Sequence, residues 1–251
     1  MPDFKMKKVY IYFSSVLIFM LHLPFAFSKS RPIVITHISD SNANANIIAV
    51  KNTSGINMIY DSLKLNLKGL SVQAFDFAVK GFENLKATGK IYNENVLSIV
   101  DFTKPSSQKR LFVIDLKNCK ILFNTYVAHG QNSGKEFANR FSNKPESFES
   151  SLGFYRTADT YMGKNGYSMH LNGLENGIND RADERAIVMH GAPYVSEGFI
   201  RSRGYIGRSW GCPAVPENMN RPIIEKIKNG SCLFIYSEDK KYLNFSKILN
   251  S

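Results

Sequence analysis

Cysteine is scarce in this chain, with three in 251 residues, and tryptophan occurs once. No Cys-x-x-Cys, His-x-His or His-Glu-x-x-His spacing is found among them, which argues against a structural or catalytic zinc site, and no metal or other cofactor is expected. Glycine motifs that cradle phosphate are missing too. Past the N-terminus no apolar run is long enough to cross a bilayer, so no membrane-spanning region is expected there. No cysteine follows the N-terminal apolar run as a point of lipid attachment, and no repeat or low-complexity tract occurs.

What is there suffices for one core. A hydrophobic content of 43% and an aromatic content of 12% exclude a disordered chain and allow a single core with a small helical subdomain. Lys5, Lys7 and Lys8 precede an apolar run from Val9 to Leu23, and Ala26-Phe27-Ser28 offers small residues for cleavage. Residues 1–28 therefore read as an export signal cut after Ser28, with no stable membrane insertion afterwards. The formal charge of +11 loses three lysines and one aspartate with that segment, a net +2, and stays at +9. Such a balance suits acidic partners or simple solubility, and export argues against nucleic acid.

A polar linker is expected over 29–54. From Ile56 to Ala87 apolar residues fall at helical spacing, with Leu63, Leu67 and Leu70, then Phe75, Ala78, Val79 and Phe82. A helical segment is assigned to 55–100. From Val96 the pattern turns to short β-rich runs such as VLSIVDF, RLFVIDL, KILFNTYVAHG, RAIVMHG and CLFIYS, predicting a mostly β catalytic domain over 101–238. The Gly-, Asn- and Ser-rich stretch from Gln131 to Asp183 reads as a loop surface that takes substrate. Residues 239–251 read as a charged, solvated tail. Cys119 and Cys232 both sit in or beside strand-like runs, so they form either a disulfide or two buried free thiols.

One segment suggests chemistry. Cys212 in RSWGCPA is flanked by Gly207, Gly211 and Pro213, a composition that exposes sulfur on a tight turn whose backbone N–H groups stabilise a thiolate and an oxyanion. The competing reading is an inert buried thiol. His190 closes the run AIVM ahead of Gly191, where one ring nitrogen can face Cys212 while the other is fixed by a backbone carbonyl. A second pair, His129-Gly130, also follows a strand-like run and rivals it as base, with a substrate-contacting or bracing role as the alternative. His170 is expected to be structural or at the rim of the cleft.

HGAPYVS followed by GRSWGCPAVP, together with the upstream VAHGQNSG, FSNKPESFESSLGFYRT and GYSMHLNGLENGIND, resembles the murein L,D-transpeptidase catalytic domain of the YkuD-like superfamily, over about Arg110 to Tyr236. The resemblance implies a mainly β fold, a β-sandwich catalytic domain with a small N-terminal helical segment, α+β overall. It implies Cys212 as nucleophile and His190 as base, with Gly191 beside it. Ser209, Trp210 and Gly211 form the turn and oxyanion region. The implied substrate is a peptidoglycan stem tetrapeptide in the periplasm or cell envelope. Cys212 would attack the third residue, a diamino acid, release D-Ala, and pass the acyl group to an amine, or to water in an L,D-carboxypeptidase. Carbapenems would acylate the same sulfur. Many superfamily members carry a second His before the Gly-Cys pair and an Arg or Asn two positions after it, where this chain has Trp210 and Ala214. Substrate binding is therefore assigned to Arg208, with Arg203 behind it, and to Tyr194 and His129. The order His before Cys disfavours papain-like and NlpC-type peptidases. A non-catalytic peptidoglycan-binding module is the alternative from a different class.

Overall fold

The computed structural model describes residues 58–251; the expected export signal and polar linker lie outside them. A short helical stretch over 58–62 leads to α1 (Val72–Ala87), whose N-terminus is capped by Ser71 accepting from the Ala74 N–H at 3.1 Å. Phe75, Ala78, Val79, Phe82 and Leu85 recur at helical spacing and are buried. Each large side chain among them contributes about 1.5–3 kcal/mol on leaving water. Gly81 sits mid-helix because the Phe154 ring comes so close that a β-carbon there would lie 2.0 Å from its Cζ.

Eight strands follow among the described residues: β1 (Asn93–Asp101), β2 (Leu111–Asp115), β3 (Lys120–Thr125), β4 (Gly153–Gly163), β5 (Gly166–Gly173), β6 (Val188–Gly191), β7 (Ala214–Val215) and β8 (Ser231–Tyr236). Three further helices are α2 (Glu197–Arg203), α3 (Glu217–Ile227) and α4 (Lys240–Phe245). The strands form one sheet in the order β3-β2-β1-β8-β4-β5-β6-β7, with β1/β8 and β6/β7 parallel and the other pairs antiparallel. Every residue of β8 is buried, as expected for a central strand covered on both faces. α1 lies against β1 and β8, while α3 lies against β1, β5 and β6.

The two ends of this sheet meet. The chain beyond β3 runs alongside β7, with the Ala128 N–H donating to Ala214 O at 2.8 Å and a parallel bridge between Gly130 and Ser209. The domain is mainly β with a helical N-terminal segment, and the expected sandwich is built from a single sheet that nearly closes.

Four expectations need correction. The helical segment ends at Ala87, and β1 lies in the middle of the sheet, so a boundary at residue 100 would cut a strand. The stretch from Gln131 to Asp183 is loop only in part, for it contains the β4–β5 hairpin, turning at Lys164-Asn165 with Gly166 at φ +73°. The tail after Glu238 is docked: Asp239 caps α4, Tyr242, Ile248 and Leu249 are buried, and the Tyr242 and Ser246 hydroxyls donate to the Glu175 carboxylate at 3.1 and 2.5 Å. Finally, Cys119 is exposed in the β2–β3 turn and Cys232 is buried in β8, and both are free thiols.

Candidate active site

The turn carrying Cys212 is held from three directions. Ser209 Oγ donates to Cys212 O at 2.6 Å and accepts from the Gly211 N–H at 3.1 Å, which closes the turn on itself. Ser150 Oγ accepts from the Gly130 N–H at 3.0 Å and donates to Gly211 O at 3.3 Å, tying the turn to the chain beyond β3. Gly211 has φ +121°, and a β-carbon there would lie 2.8 Å from Glu149 O, so both backbone conformation and space demand glycine. Gly211 spends its N–H on Ser209, so the amides that favour the anionic sulfur are those of Val188 and, to a lesser degree, Cys212 itself.

Register then brings the candidate nucleophile Cys212 and the candidate base His190 to one strand pair. β6 and β7 align His190 with Ala214 and Gly191 with Val215, so Cys212 runs beside Val188. The Val188 N–H donates to Cys212 Sγ at 3.5 Å, and Sγ lies 3.7 Å from Ala186 O. Ala186 holds φ +52°, a left-handed conformation uncommon for alanine. His190 is two residues beyond Val188 on the same face of β6. Its Nδ1 is 2.9 Å from Gly191 O; a carbonyl only accepts, so Nδ1 carries the proton and Nε2 the free lone pair.

Burial raises the Cys212 thiol above its ordinary 9.0, opposed by the Val188 N–H and the charge of Arg185. Burial also lowers His190 below 6.5, partly offset by the Gly191 carbonyl. Near neutral pH Cys212 is thus a thiol and His190 a neutral imidazole, the protonation states from which general-base attack starts. Both side chains line a cavity of about 790 Å³, with Tyr194, Arg208, Ser209 and Trp210 from the sequence-predicted set. A cavity of about 840 Å³ elsewhere, lined in part by Lys144, Lys241 and Phe245, contains neither cysteine nor histidine.

The remaining predicted residues divide. Trp210 is 70% exposed at the mouth, with its ring 5.6 Å from that of Phe148. Burial pushes the Tyr194 phenol up to about 12, so it stays a donor. Arg208 lines the cavity while Nη1 donates to Gln131 O at 3.2 Å and Gly134 O at 3.0 Å. Arg203, assigned to substrate, instead lies at the exposed end of α2 over the Phe199 ring, 5.1 Å from its centroid, and does not line the cavity. His170 pairs with Asp159 at 3.2 Å and stacks on Tyr161, which lines the cavity.

His129 is also a correction. It is fully buried, does not line the cavity that holds Cys212, and is braced on both nitrogens. The buried Arg110 donates to its Nδ1 at 2.7 Å, and its Nε2 faces Gly134 O at 3.3 Å. Burial and the adjacent Arg110 charge depress its pKa from 6.5 to about 3. The unfolded chain takes up this proton below pH 6.5 and the folded chain only near 3, so the stabilisation is complete above 6.5 and is lost as pH falls between them. We expect chemical denaturation to show wild type losing roughly 3 kcal/mol more than His129→Gln between pH 6.5 and about 4. Equal losses would contradict this role.

Sequence reasoning missed Arg185, Lys164 and Tyr161, all of which line the cavity. The Asn165-Gly166 pair was the available signal for the hairpin tip that brings two of them in. Among the described residues no group of three or more His, Cys, Asp or Glu side chains is placed to hold a metal, and no helix is long and apolar enough to cross a membrane.

A family model described as the L,D-transpeptidase catalytic domain matches residues 66–236. No curated protein matches the chain. Among solved structures, it is similar to an L,D-transpeptidase from Mycobacterium smegmatis, with 13% identity, coverage of 57% of this chain and 59% of that chain, and a TM-score of 0.35. It is also similar to an L,D-transpeptidase from Stackebrandtia nassauensis, with 14% identity, 64% and 66% coverage and a TM-score of 0.34. A third is L,D-transpeptidase 3 from Mycobacterium tuberculosis in complex with a faropenem-derived adduct, at 10% identity, 57% and 60% coverage and a TM-score of 0.35. The chain thus spans about three fifths of the length of the first of these structures.

Proposed function

The chain belongs to the L,D-transpeptidase catalytic domain family, and on that basis we propose that it is an exported cysteine transpeptidase acting on peptidoglycan stem peptides in the periplasm or cell envelope. The observation that carries the reading is the β6/β7 register, which runs Cys212 beside Val188 and sets His190 on the same strand, lining the same cavity. The family match supports the substrate class, and the register supports the cysteine chemistry.

In the proposed reaction the Cys212 sulfur attacks the carbonyl joining the third-residue diamino acid to D-Ala, and His190 Nε2 takes the thiol proton. The tetrahedral intermediate collapses as the imidazolium returns that proton to the departing D-Ala amine, leaving a thioester. An acceptor amine then attacks, His190 takes its proton and gives it back to the sulfur, and the new amide leaves. The Cys212 N–H is assigned as an oxyanion donor, and Arg208 and Tyr194 take the substrate's carboxylate and carbonyl groups. The formal charge of +9 after signal removal suits a polymer bearing free carboxylates.

The test is mass spectrometry of products from a purified disaccharide-tetrapeptide incubated with the chain from residue 29, wild type and Cys212→Ala. Wild type alone is expected to yield cross-linked dimer and D-Ala. Tripeptide without dimer would make it an L,D-carboxypeptidase, and no Cys212-dependent product would overturn the enzymatic reading in favour of a binding module.

A further inference from the structure

One cation behind the nucleophile has no part in the reaction just described. Arg185 stands in the turn before β6, half-buried, with both terminal nitrogens of its guanidinium engaged. Nη1 donates to Ser142 O at 2.8 Å and to Ser151 Oγ, and Nη2 donates to Glu149 O at 2.6 Å and Ser147 Oγ at 3.2 Å. All four acceptors are uncharged and come from one irregular stretch, 142–151. Toward the nucleophile, a β-carbon on Gly211 would lie 3.2 Å from Nη2 and 2.8 Å from Glu149 O, the carbonyl that Arg185 grips. The guanidinium therefore braces the wall against which Gly211 turns, one residue before the sulfur.

We propose that Arg185 is a positioning residue for the nucleophile: its fork fixes the 142–151 wall behind Gly211, and its charge, cancelled by no hydrogen-bonded carboxylate, favours the Cys212 thiolate formed during attack. The Glu149 carboxylate, which also faces this charge, pairs with Arg140 at 3.6 Å. The Tyr155 phenol, also near Arg185, is buried and its pKa is raised, so it is neutral. The other titratable or charged groups around the cavity are His190, Tyr161, Tyr194, Lys164, Arg208 and Glu217. Lys164 is at the exposed hairpin tip and Arg208 is anchored through Nη1 to Gln131 and Gly134, whereas Arg185 is the cation that pulls the Cys212 thiol down against its burial. An opposite charge within a few ångströms of a titrating group typically moves it by about one to three pH units, and partial burial keeps this one from being screened away.

The role rests on Cys212 as nucleophile and is tested without substrate, so its failure is separable from failure of the transpeptidase reading. The rate of Cys212 alkylation by iodoacetamide is followed against pH by intact mass in a Cys119→Ser background, which removes the exposed competing thiol. Arg185→Gln is expected to move the inflection upward by about one pH unit and to slow alkylation at neutral pH about tenfold. Arg185→Lys, which keeps the charge and loses the fork, is expected to hold the inflection near the wild-type position even where turnover falls. A folded Arg185→Gln protein with an unmoved inflection would overturn the proposal. Should Arg185→Gln not fold, an Arg185→Lys inflection displaced upward by a full unit would overturn it equally.

Discussion

Cys212→Ala is expected to lower turnover by at least about 10⁴-fold while the protein stays folded. The geometry separates the two outcomes. The sulfur's contacts are one long N–H···S bond from Val188 and the approach to Ala186 O, at 3.5 and 3.7 Å, together worth about 1 kcal/mol. What positions the turn survives the substitution: the Ser209 and Ser150 hydroxyl bonds, the pairing of Ala214 and Val215 with β6, and the glycine conformation at 211. Thermal melting and turnover measured on the same preparation check both halves. A fully active Cys212→Ala protein would end the account, and an unfolded one would show that the turn depends on its sulfur.

His190→Ala is expected to lower kcat/KM by about 10²–10⁴-fold, the usual contribution of a positioned proton acceptor, and to change the shape of the pH profile. In wild type the imidazole must be neutral to take the thiol proton. Its pKa is depressed by burial, so the rate is maintained as pH falls to 6.5 and declines only below it. Without the ring, attack depends on spontaneous ionisation of a thiol that burial holds above 9.0, and the residual rate should climb with pH through the alkaline range. Profiles of kcat/KM from pH 4 to 10 distinguish the two. A variant that keeps the wild-type acid limb would show that some other group is the base.

That Cys212 and His190 come to one cavity was legible because both ends of the argument are local. An apolar run ending in His-Gly predicts a strand end, and Gly-Cys-Pro predicts a turn. Local sequence could not separate His190 from His129, since both precede glycine after a strand. Arg110 separates them, a buried guanidinium that occupies Nδ1 of His129 and makes a proton there costly. Arg185 was invisible as a site residue for a related reason, because its acceptors lie 34 to 43 positions upstream and only folding assembles them. The FSNKPESFESS stretch gains its meaning the same way, supplying those acceptors and the Ser150 hydroxyl that ties Gly130 to Gly211. The β4–β5 hairpin was lost in a Gly- and Asn-rich composition. The docked tail was lost because its burial depends on Glu175, a carboxylate 67 and 71 positions away that collects the Tyr242 and Ser246 hydroxyls.

The most direct test of the central claim is the covalent intermediate itself. Wild-type protein mixed with a tetrapeptide donor whose diamino-acid side-chain amine is acetylated, so that no acceptor amine is present, is quenched in acid within the first turnover and analysed by intact mass and then by peptide mapping. An adduct equal to the donor less D-Ala, attached at Cys212 and absent from Cys212→Ala, is the predicted result. D-Ala release without any adduct, or an adduct at Cys119 or Cys232, would contradict it.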